Sequence, residues 1–454
     1  MIAIIFLVAL LILLMVFAQG TGVDLPIWEI GGLVALFIVF FGAGVHIATI
    51  LGGVALISGL AFSDRAFWLF AGQTFWSPST NFVLVAVPLF LLMGEILLRA
   101  GLSERLYRAL NAWLNRLPGG LLHTNIAASG LFSAISGSSI ATAATIGSVA
   151  LPYFEKSEYD QKMVLGSLAG GGAIGMLIPP GITFIVYGMI TETSVGKLYA
   201  AALIPAAVVI ALFALVIYIH GKRHPVTMPE RIPLKQKLRM SLDLVPTVLL
   251  ILLVLGSIYG GFATPTEAAA LGVAGAALFA AFDRRLSLRM VHEAAKATAR
   301  NTALLGLIIL GAYLLNYILT LINVPQAVAG LISDLPIPDW GIMLAIIGMY
   351  LALGTFMEGF SMVITTVPVI FPVVVGLGYD PIWFGVMVTM LVEIAMISPP
   401  DGTVMYVLQG MRPKPGPITD IFKGVVPFVL VYLVAVGVLM VFPEITLWLP
   451  SMMQ

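Results

Sequence analysis

Apolar runs of roughly 15–22 residues recur along this chain from end to end, close to the ~20 residues that cross a bilayer core ~30 Å thick. The runs are continuous rather than alternating in polarity, so they are helices and not the strands of a membrane barrel. With 60% hydrophobic and 10% charged residues over 454 positions, the composition is that of an integral membrane protein and excludes a soluble enzyme. There is no cysteine, which removes disulfides, thiolate metal sites and cysteine nucleophiles. The five histidines lack HExxH spacing, so zinc-protease chemistry has no support.

Three segments rich in Lys and Arg set the orientation: 99–116 (Arg99, Arg105, Arg108, Arg116), 222–239 (Lys222, Arg223, Arg231, Lys235, Lys237, Arg239) and 284–300 (Arg284, Arg285, Arg289, Lys296, Arg300). The positive-inside rule places all three in the cytoplasm. Two spans lie between the last two, near 245–260 and 267–282, joined by "GFATPTE", which returns the chain to the same side. The same parity predicts spans near 2–18, 28–43, 44–60, 82–98, 162–190, 198–219, 302–322, 382–409 and 424–442, with paired apolar segments at 121–153 and 340–377. All 22 basic residues except Arg65 and Lys197 then face the cytoplasm, with the N-terminus inside and the C-terminus outside. Residues 2–18 lack a basic n-region and are long for a signal-peptide core, so they read as a retained first helix.

The chain also matches itself at an offset of 220: Pro152 falls on Pro372, Tyr159-Asp160 on Tyr379-Asp380, and Pro179-Pro180 on Pro399-Pro400. After a two-residue insertion, Gly188-Met189 falls on Gly410-Met411 and Pro205 on Pro427. Span 82–98 runs inward and its counterpart 302–322 runs outward, so the repeats are inverted in the membrane. The arms of 121–153 have only 15 or 16 residues and cover ~24 Å, short of the core. They predict a re-entrant hairpin entering from the cytoplasm with "SAISGSSIATAATIG" (133–147) at its tip, and 340–377 predicts another from outside with "LGTFMEGFSM" (353–362) at its tip.

"GGGAIGMLIPPGITFIVYG" (170–188) and "VEIAMISPPDGTVMYVLQG" (392–410) are apolar enough to span, yet each is broken by two prolines. A break inside lipid leaves backbone groups unpaired at several kcal/mol each, so both breaks and both tips belong against protein or a water-filled site. Freed carbonyls suit a cation such as Na⁺, and half-helix N-termini suit an anionic substrate group. Ser136, Ser138 and Ser139 at the first turn point to ion or substrate contact, whereas Ser133 and Thr145 fit close helix packing. In the second half Glu358 lies at a tip, Glu393 six residues before the prolines, and Asp401 directly after them. Cation or proton coordination suits these carboxylates better than contact with a dicarboxylate, with a structural hydrogen bond to freed backbone as the alternative for Glu358 and Glu393. His46 and His123 read as packing residues, the run 222–239 as a solvated connector, and Trp68, Trp76 and Trp340 as interface-belt aromatics.

The segments "PLFLLMGEIL" (88–97), "LPGGLLHTNIAASGLFSAISGSSIATAATIGSVALP" (117–152), "GSLAGGGAIGMLIPPGITFIVYGMITETSVGKLYAAALIP" (166–205), "FATPTEAAA" (262–270) and "MISPPDG" (396–402) closely resemble, in order over about 40–450, the large membrane subunit of tripartite ATP-independent periplasmic (TRAP) transporters. The resemblance implies an all-α polytopic membrane protein: an elevator-type secondary transporter of the ion-transporter superfamily, with two re-entrant hairpins and two broken helices. It implies a bacterial inner-membrane location and uptake driven by a Na⁺ gradient. The partners it implies are a periplasmic substrate-binding protein and a small four-helix membrane subunit on a separate polypeptide. The family's ion sites lie where tips face breaks, here 136–139 with 171–179 and 354–359 with 398–403. Candidate ion-site residues are thus Ser136, Gly137, Ser138, Ser139, Gly171 and Ile178, and Gly354, Met357, Glu358, Ser398, Asp401 and Thr403. Candidate substrate contacts are Ser138, Ser139, Thr183, Thr365 and Glu393. Two features depart from the family pattern: the extra segment 2–18, and Asp401, which stands where an apolar residue is expected and matches Gly181 of the first break.

The expected organisation is scaffold helices over 1–81, a first inverted repeat over 82–220, a cytoplasmic connector with two scaffold helices over 221–301, a second inverted repeat over 302–442, and a periplasmic tail over 443–454. The expected activity is Na⁺-coupled, binding-protein-dependent uptake of a small organic anion, a carboxylate by preference. A stand-alone Na⁺- or H⁺-coupled carrier of related fold is the alternative. An intramembrane hydrolase is more remote, because "SGSSI" lacks the Gly-x-Ser-Gly ending and no histidine shares its inferred depth.

Overall fold

The computed structural model describes residues 27–62, 68–155, 157–227, 231–326, 330, 337–354, 357–400, 402–413 and 415–453. The expectations for 2–18, Arg65 and Asp401 fall outside them. Among the described residues every regular element is a helix, and seven helices are long and apolar enough to cross a membrane: Phe82–Arg99, Val195–Arg223, Leu234–Tyr259, Pro265–Phe282, Leu288–Leu321, Gly359–Gly376 and Thr419–Val441. The chain is a multi-pass membrane protein.

The two halves repeat element for element. The first contains Ala86–Arg99, a helical hairpin with arms Gly120–Ser136 and Ser139–Phe154, an interrupted helix with halves Gln161–Gly172 and Ile182–Thr191, and Val195–Arg223. The second contains Leu288–Leu321, a hairpin with arms Asp339–Leu353 and Gly359–Gly376, an interrupted helix with halves Pro381–Ile397 and Thr403–Met411, and Thr419–Val441. Their caps match as well. Asp160 accepts from the Lys162 N–H at 3.1 Å and Asp380 from the Ile382 N–H at 2.7 Å, which satisfies an orphan donor at each half-helix start.

The halves interlock. Gln161–Gly172 packs on Thr419–Val441, and Pro381–Ile397 on Val195–Arg223; Ile182–Thr191 packs on the arm Gly359–Gly376, and Thr403–Met411 on the arm Ser139–Phe154. Each contact recurs with the halves exchanged, as a two-fold relation between repeats requires. The first half-helices form the centre: residues 163–172 and 383–397 are all buried, as expected of helices apolar on every side. Where Gln161–Gly172 crosses Thr419–Val441, a Cβ on Gly166 or Gly424 would overlap the other helix's backbone, so only glycine permits this approach.

The structure adds two elements to the sequence reading and corrects one pairing. From Leu288 the basic stretch 284–300 forms the first turns of the 34-residue helix Leu288–Leu321, which at ~1.5 Å per residue is far longer than the hydrocarbon core. The stretch 99–116 folds largely into the helix Leu102–Leu114, which buries Leu102, Leu106, Tyr107 and Ala109 and packs on the first hairpin, leaving its charges outward. Finally, Gly181 pairs structurally with Gly402 rather than Asp401. Both glycines cap second half-helices, and a Cβ on Gly181 would overlap the Met176 carbonyl oxygen while one on Gly402 would lie 2.6 Å from that of Met396. An extra residue of the second half therefore lies within the break itself.

Candidate functional site

Each hairpin turn meets a helix break. At the first, Gly137 ends its arm in the left-handed region (φ +58°) and its carbonyl accepts from the Ile182 N–H at 3.4 Å. A Cβ there would lie 2.5 Å from the Pro180 carbonyl oxygen, so glycine serves both the conformation and the close approach. Ser138 caps the next arm, accepting from the Ala141 N–H at 3.4 Å. Ser136 and Thr142 share a hydroxyl hydrogen bond of 2.9 Å, and Ser133 donates to the Ser129 carbonyl at 2.6 Å, the packing role expected of it.

Glu393 reaches across from one half to the other. It belongs to Pro381–Ile397 of the second repeat, but its side chain reaches the first junction. There it accepts from Ser139 Oγ at 2.7 Å and from the backbone N–H of Met176, inside the first break. It is fully buried. Its contacts are those of the structural alternative, a carboxylate satisfying freed backbone.

Gly171 and Ile178 line the same region. A Cβ on Gly171 would lie 2.5 Å from Ser129 Oγ, a buried hydroxyl with no partner among the described residues. Ser129 escaped the sequence reading, although it lies one helical turn before Ser133. Thr183, also buried, donates to the Met176 sulfur at 3.0 Å across the break. A second missed feature is a buried polar chain behind the tip: Tyr107 donates to Asn125 at 2.8 Å, and Asn125 to Ser167 at 2.9 Å.

The second junction has the same plan with different groups. Glu358 takes the cap position of Ser138, accepting from the Ser361 N–H at 3.4 Å. A Cβ on Gly354 would overlap Ala395, so that tip also touches the facing half-helix. Met357 is buried, and Ser398 donates to the Ile394 carbonyl at 2.7 Å. Thr403 and Thr365 each carry a buried hydroxyl oxygen without a partner among the described residues. Thr365 lines an apolar cavity of about 210 Å³ with Met357, Leu353 and Phe37, apart from the carboxylates. The two breaks differ in burial: Pro179 and Pro180 are buried, whereas Pro399 and Pro400 are exposed.

Nothing here resembles a hydrolase. Ser139 is bonded to a carboxylate rather than to an imidazole, and His123 is held by the Pro118 carbonyl at 2.9 Å.

Comparison with known proteins agrees with this architecture. The family described as "Tripartite ATP-independent periplasmic transporter, DctM component" matches residues 34–445. A C4-dicarboxylate TRAP transporter large permease protein from Pseudomonas aeruginosa is 34% identical over 82% of this chain and 87% of its own length. A sialic acid TRAP transporter large permease protein from Vibrio cholerae is 32% identical over 84% of this chain and 90% of its own length. Among solved structures, the Alcanivorax borkumensis YdaH transporter shares the fold, with a TM-score of 0.63 at 16% identity, covering 89% of this chain and 97% of that one. The chain is a transport protein and not an enzyme, and it belongs to the tripartite ATP-independent periplasmic transporter family as a large permease, the DctM component.

Proposed function

We propose that this permease carries out Na⁺-coupled uptake of a small organic anion, a carboxylate by preference, across a bacterial inner membrane. A periplasmic binding protein delivers the substrate, and a separate small membrane subunit completes the complex. The observation that carries this reading is the pair of tip-to-break junctions, one in each half, where serine and threonine hydroxyls, backbone carbonyls and carboxylates converge. Hard cations take such oxygen ligands, and the donor set at the first junction fits Na⁺: Ser136, Ser138 and Ser139 hydroxyls beside the Gly137 and Pro180 carbonyls. The unpartnered Ser129 and Thr403 hydroxyls add one spare oxygen near each junction. The named relatives that transport C4-dicarboxylates and sialic acid favour a carboxylate.

In this reading both hairpins are re-entrant, the first from the cytoplasm and the second from outside, with the N-terminus inside and the C-terminus outside. The arms Gly120–Ser136, Ser139–Phe154 and Asp339–Leu353, at 17, 16 and 15 residues, cover ~22–26 Å and are short for a full crossing, whereas Gly359–Gly376, at 18 residues, is long enough by length alone. Na⁺ at the junctions holds the tips against the breaks, and the interlocked hairpins and interrupted helices move as one body against the remaining helices. Half-helix N-termini and the Ser138, Ser139, Thr183 and Thr365 hydroxyls are the substrate contacts offered.

Reconstitution with the binding protein and the small subunit is the test. Uptake is expected only with an inward Na⁺ gradient. Uptake that persists without the gradient rejects the coupling, and uptake that needs neither partner supports a stand-alone carrier instead. Unchanged Na⁺ dependence in Ser138→Ala plus Ser139→Ala rejects the first junction as an ion site.

A further inference from the structure

Glu393 is a buried carboxyl group with no ion-pair partner among the described residues. The ion pairs among the described residues are Glu95–Arg99, Asp283–Arg105, Asp283–Arg285 and Asp420–Arg412, and Glu393 is in none of them. Its partners are the backbone N–H of Met176 and the hydroxyl of Ser139. Backbone N–H groups only donate, so together with the Ser139 hydroxyl they fix the carboxyl oxygens of Glu393 between the tip and the break. A buried carboxylate without an opposite charge either takes up a proton or is compensated by a cation held nearby.

The position of the carboxylate indicates where that cation sits. Ser139 begins the second arm of the first hairpin, directly beyond the turn at Gly137 and Ser138, and residues 176 and 177 lie between Gly175 and the Pro179-Pro180 break. A Cβ on Gly175 would overlap the Ser139 backbone, so tip and break are in contact where Glu393 bridges them. Because the Ser139 proton is directed at Glu393, the remaining lone pairs of its oxygen are free for another partner. Outer groups commonly orient metal ligands in this way and raise their basicity. The residue 220 positions earlier, at the matching place in the first repeat, is Ala173, which has no carboxyl group to make the same bridge to the second junction.

We propose that Glu393, donated by the second repeat, is the countercharge and positioning residue of the cation site at the first junction, while the second junction depends on its own tip residue Glu358. The proposal rests on the Na⁺-coupled reading above. Glu393 closes the tip onto the break, turns Ser139 toward the cation, and places a negative charge behind the oxygen ligands. One repeat thereby supplies the charge for the ion site of the other.

The test uses the complete permease with its small subunit and binding protein, and the variant Glu393→Gln, which keeps the volume and removes the charge. Removing a buried charge close to a bound cation raises the half-saturating Na⁺ concentration by roughly tenfold or more, with the half-saturating substrate concentration at saturating Na⁺ changed by less than about twofold. In the detergent-purified complex, the rise in melting temperature on replacing choline chloride with NaCl shrinks in parallel, a readout independent of transport. A purely structural role instead lowers the yield and maximal rate and leaves both half-saturation values in place, which overturns the proposal. If Glu393→Gln does not assemble, Glu393→Asp, which keeps the charge but shortens its reach, is measured in the same assays, and an unaltered Na⁺ half-saturation there also overturns it. Failure of the Na⁺-coupled reading is distinguishable, because the wild-type complex then shows no Na⁺-dependent uptake or melting shift.

Discussion

The first and second junctions share one backbone plan but differ in burial and charge. In the first, Pro179 and Pro180 are buried, the tip is capped by the neutral Ser138, and a carboxylate arrives from the other repeat. In the second, Pro399 and Pro400 are exposed and the cap is itself a carboxylate, Glu358. An inverted repeat therefore fixes where helices break while leaving the chemistry of each break free to diverge. The largest effect is expected from breaking the backbone plan itself. Gly137→Val adds a left-handed penalty and a clash with the Pro180 carbonyl, together about 2–5 kcal/mol, so uptake should fall to about a thirtieth of wild type or lower. Folded complex with near-normal uptake would show that the tip is looser than this contact implies.

Exchanging the charge pattern tests the difference directly. Glu358→Gln removes the carboxylate of the second junction, and a roughly tenfold rise in half-saturating Na⁺, or ~1.4 kcal/mol, is expected. In Na⁺ titrations of uptake, the double variant with Glu393→Gln should show losses that multiply if the two junctions act independently. A double variant no worse than either single would mean that both carboxylates serve one site.

Much of this plan is legible in the sequence. Matched Pro-Pro pairs, short arms and matched Tyr-Asp pairs reveal the repeat, because each marks a backbone event that the helix period cannot hide. The reach of Glu393 is not legible: a helix register shows which face a residue occupies, and the packing of Pro381–Ile397 in the centre decides which half that face meets. The pairing of Gly181 with Gly402 is hidden because a break has no period to align. That the basic stretches 99–116 and 284–300 are largely helical does not show in hydropathy, since a helix outside the lipid needs only one apolar stripe, such as Leu102, Leu106 and Ala109.

A smaller effect sharpens the cap comparison. Ser138→Ala removes a side-chain cap at the N-terminus of Ser139–Phe154 and should cost ~1 kcal/mol of stability, read as a modest drop in melting temperature. Asp160→Ala, which uncaps the half-helix Gln161–Gly172, should cost about the same, ~1 kcal/mol. If Ser138→Ala shifts Na⁺ half-saturation far more than Asp160→Ala at equal melting loss, the Ser138 hydroxyl contacts the ion in addition to the helix end. Equal shifts would reduce it to a cap.

The smallest effect lies outside both junctions. Arg105 of Leu102–Leu114 meets both oxygens of Asp283 at 2.6 Å, just past the end of Pro265–Phe282, and Arg285 meets the same carboxylate at 3.1 Å. This pair joins the helix beneath the first hairpin to the connector helices, but its side chains are 24% and 18% exposed, so water screens it. Arg105→Ala is expected to cost only about 0.5–1 kcal/mol, partly because Arg285 remains to neutralise Asp283. In the second-half pair Arg412–Asp420 the arginine is more enclosed, at 9% exposed against 21% for the aspartate, and Arg412→Ala should therefore lower the melting temperature more. Choline chloride separates screening from Na⁺ binding: raising it to about 1 M should erase most of the Arg105→Ala deficit and leave most of the Arg412→Ala deficit. Equal salt sensitivity in the two variants would mean that both ion pairs are surface features with no difference in burial behind them.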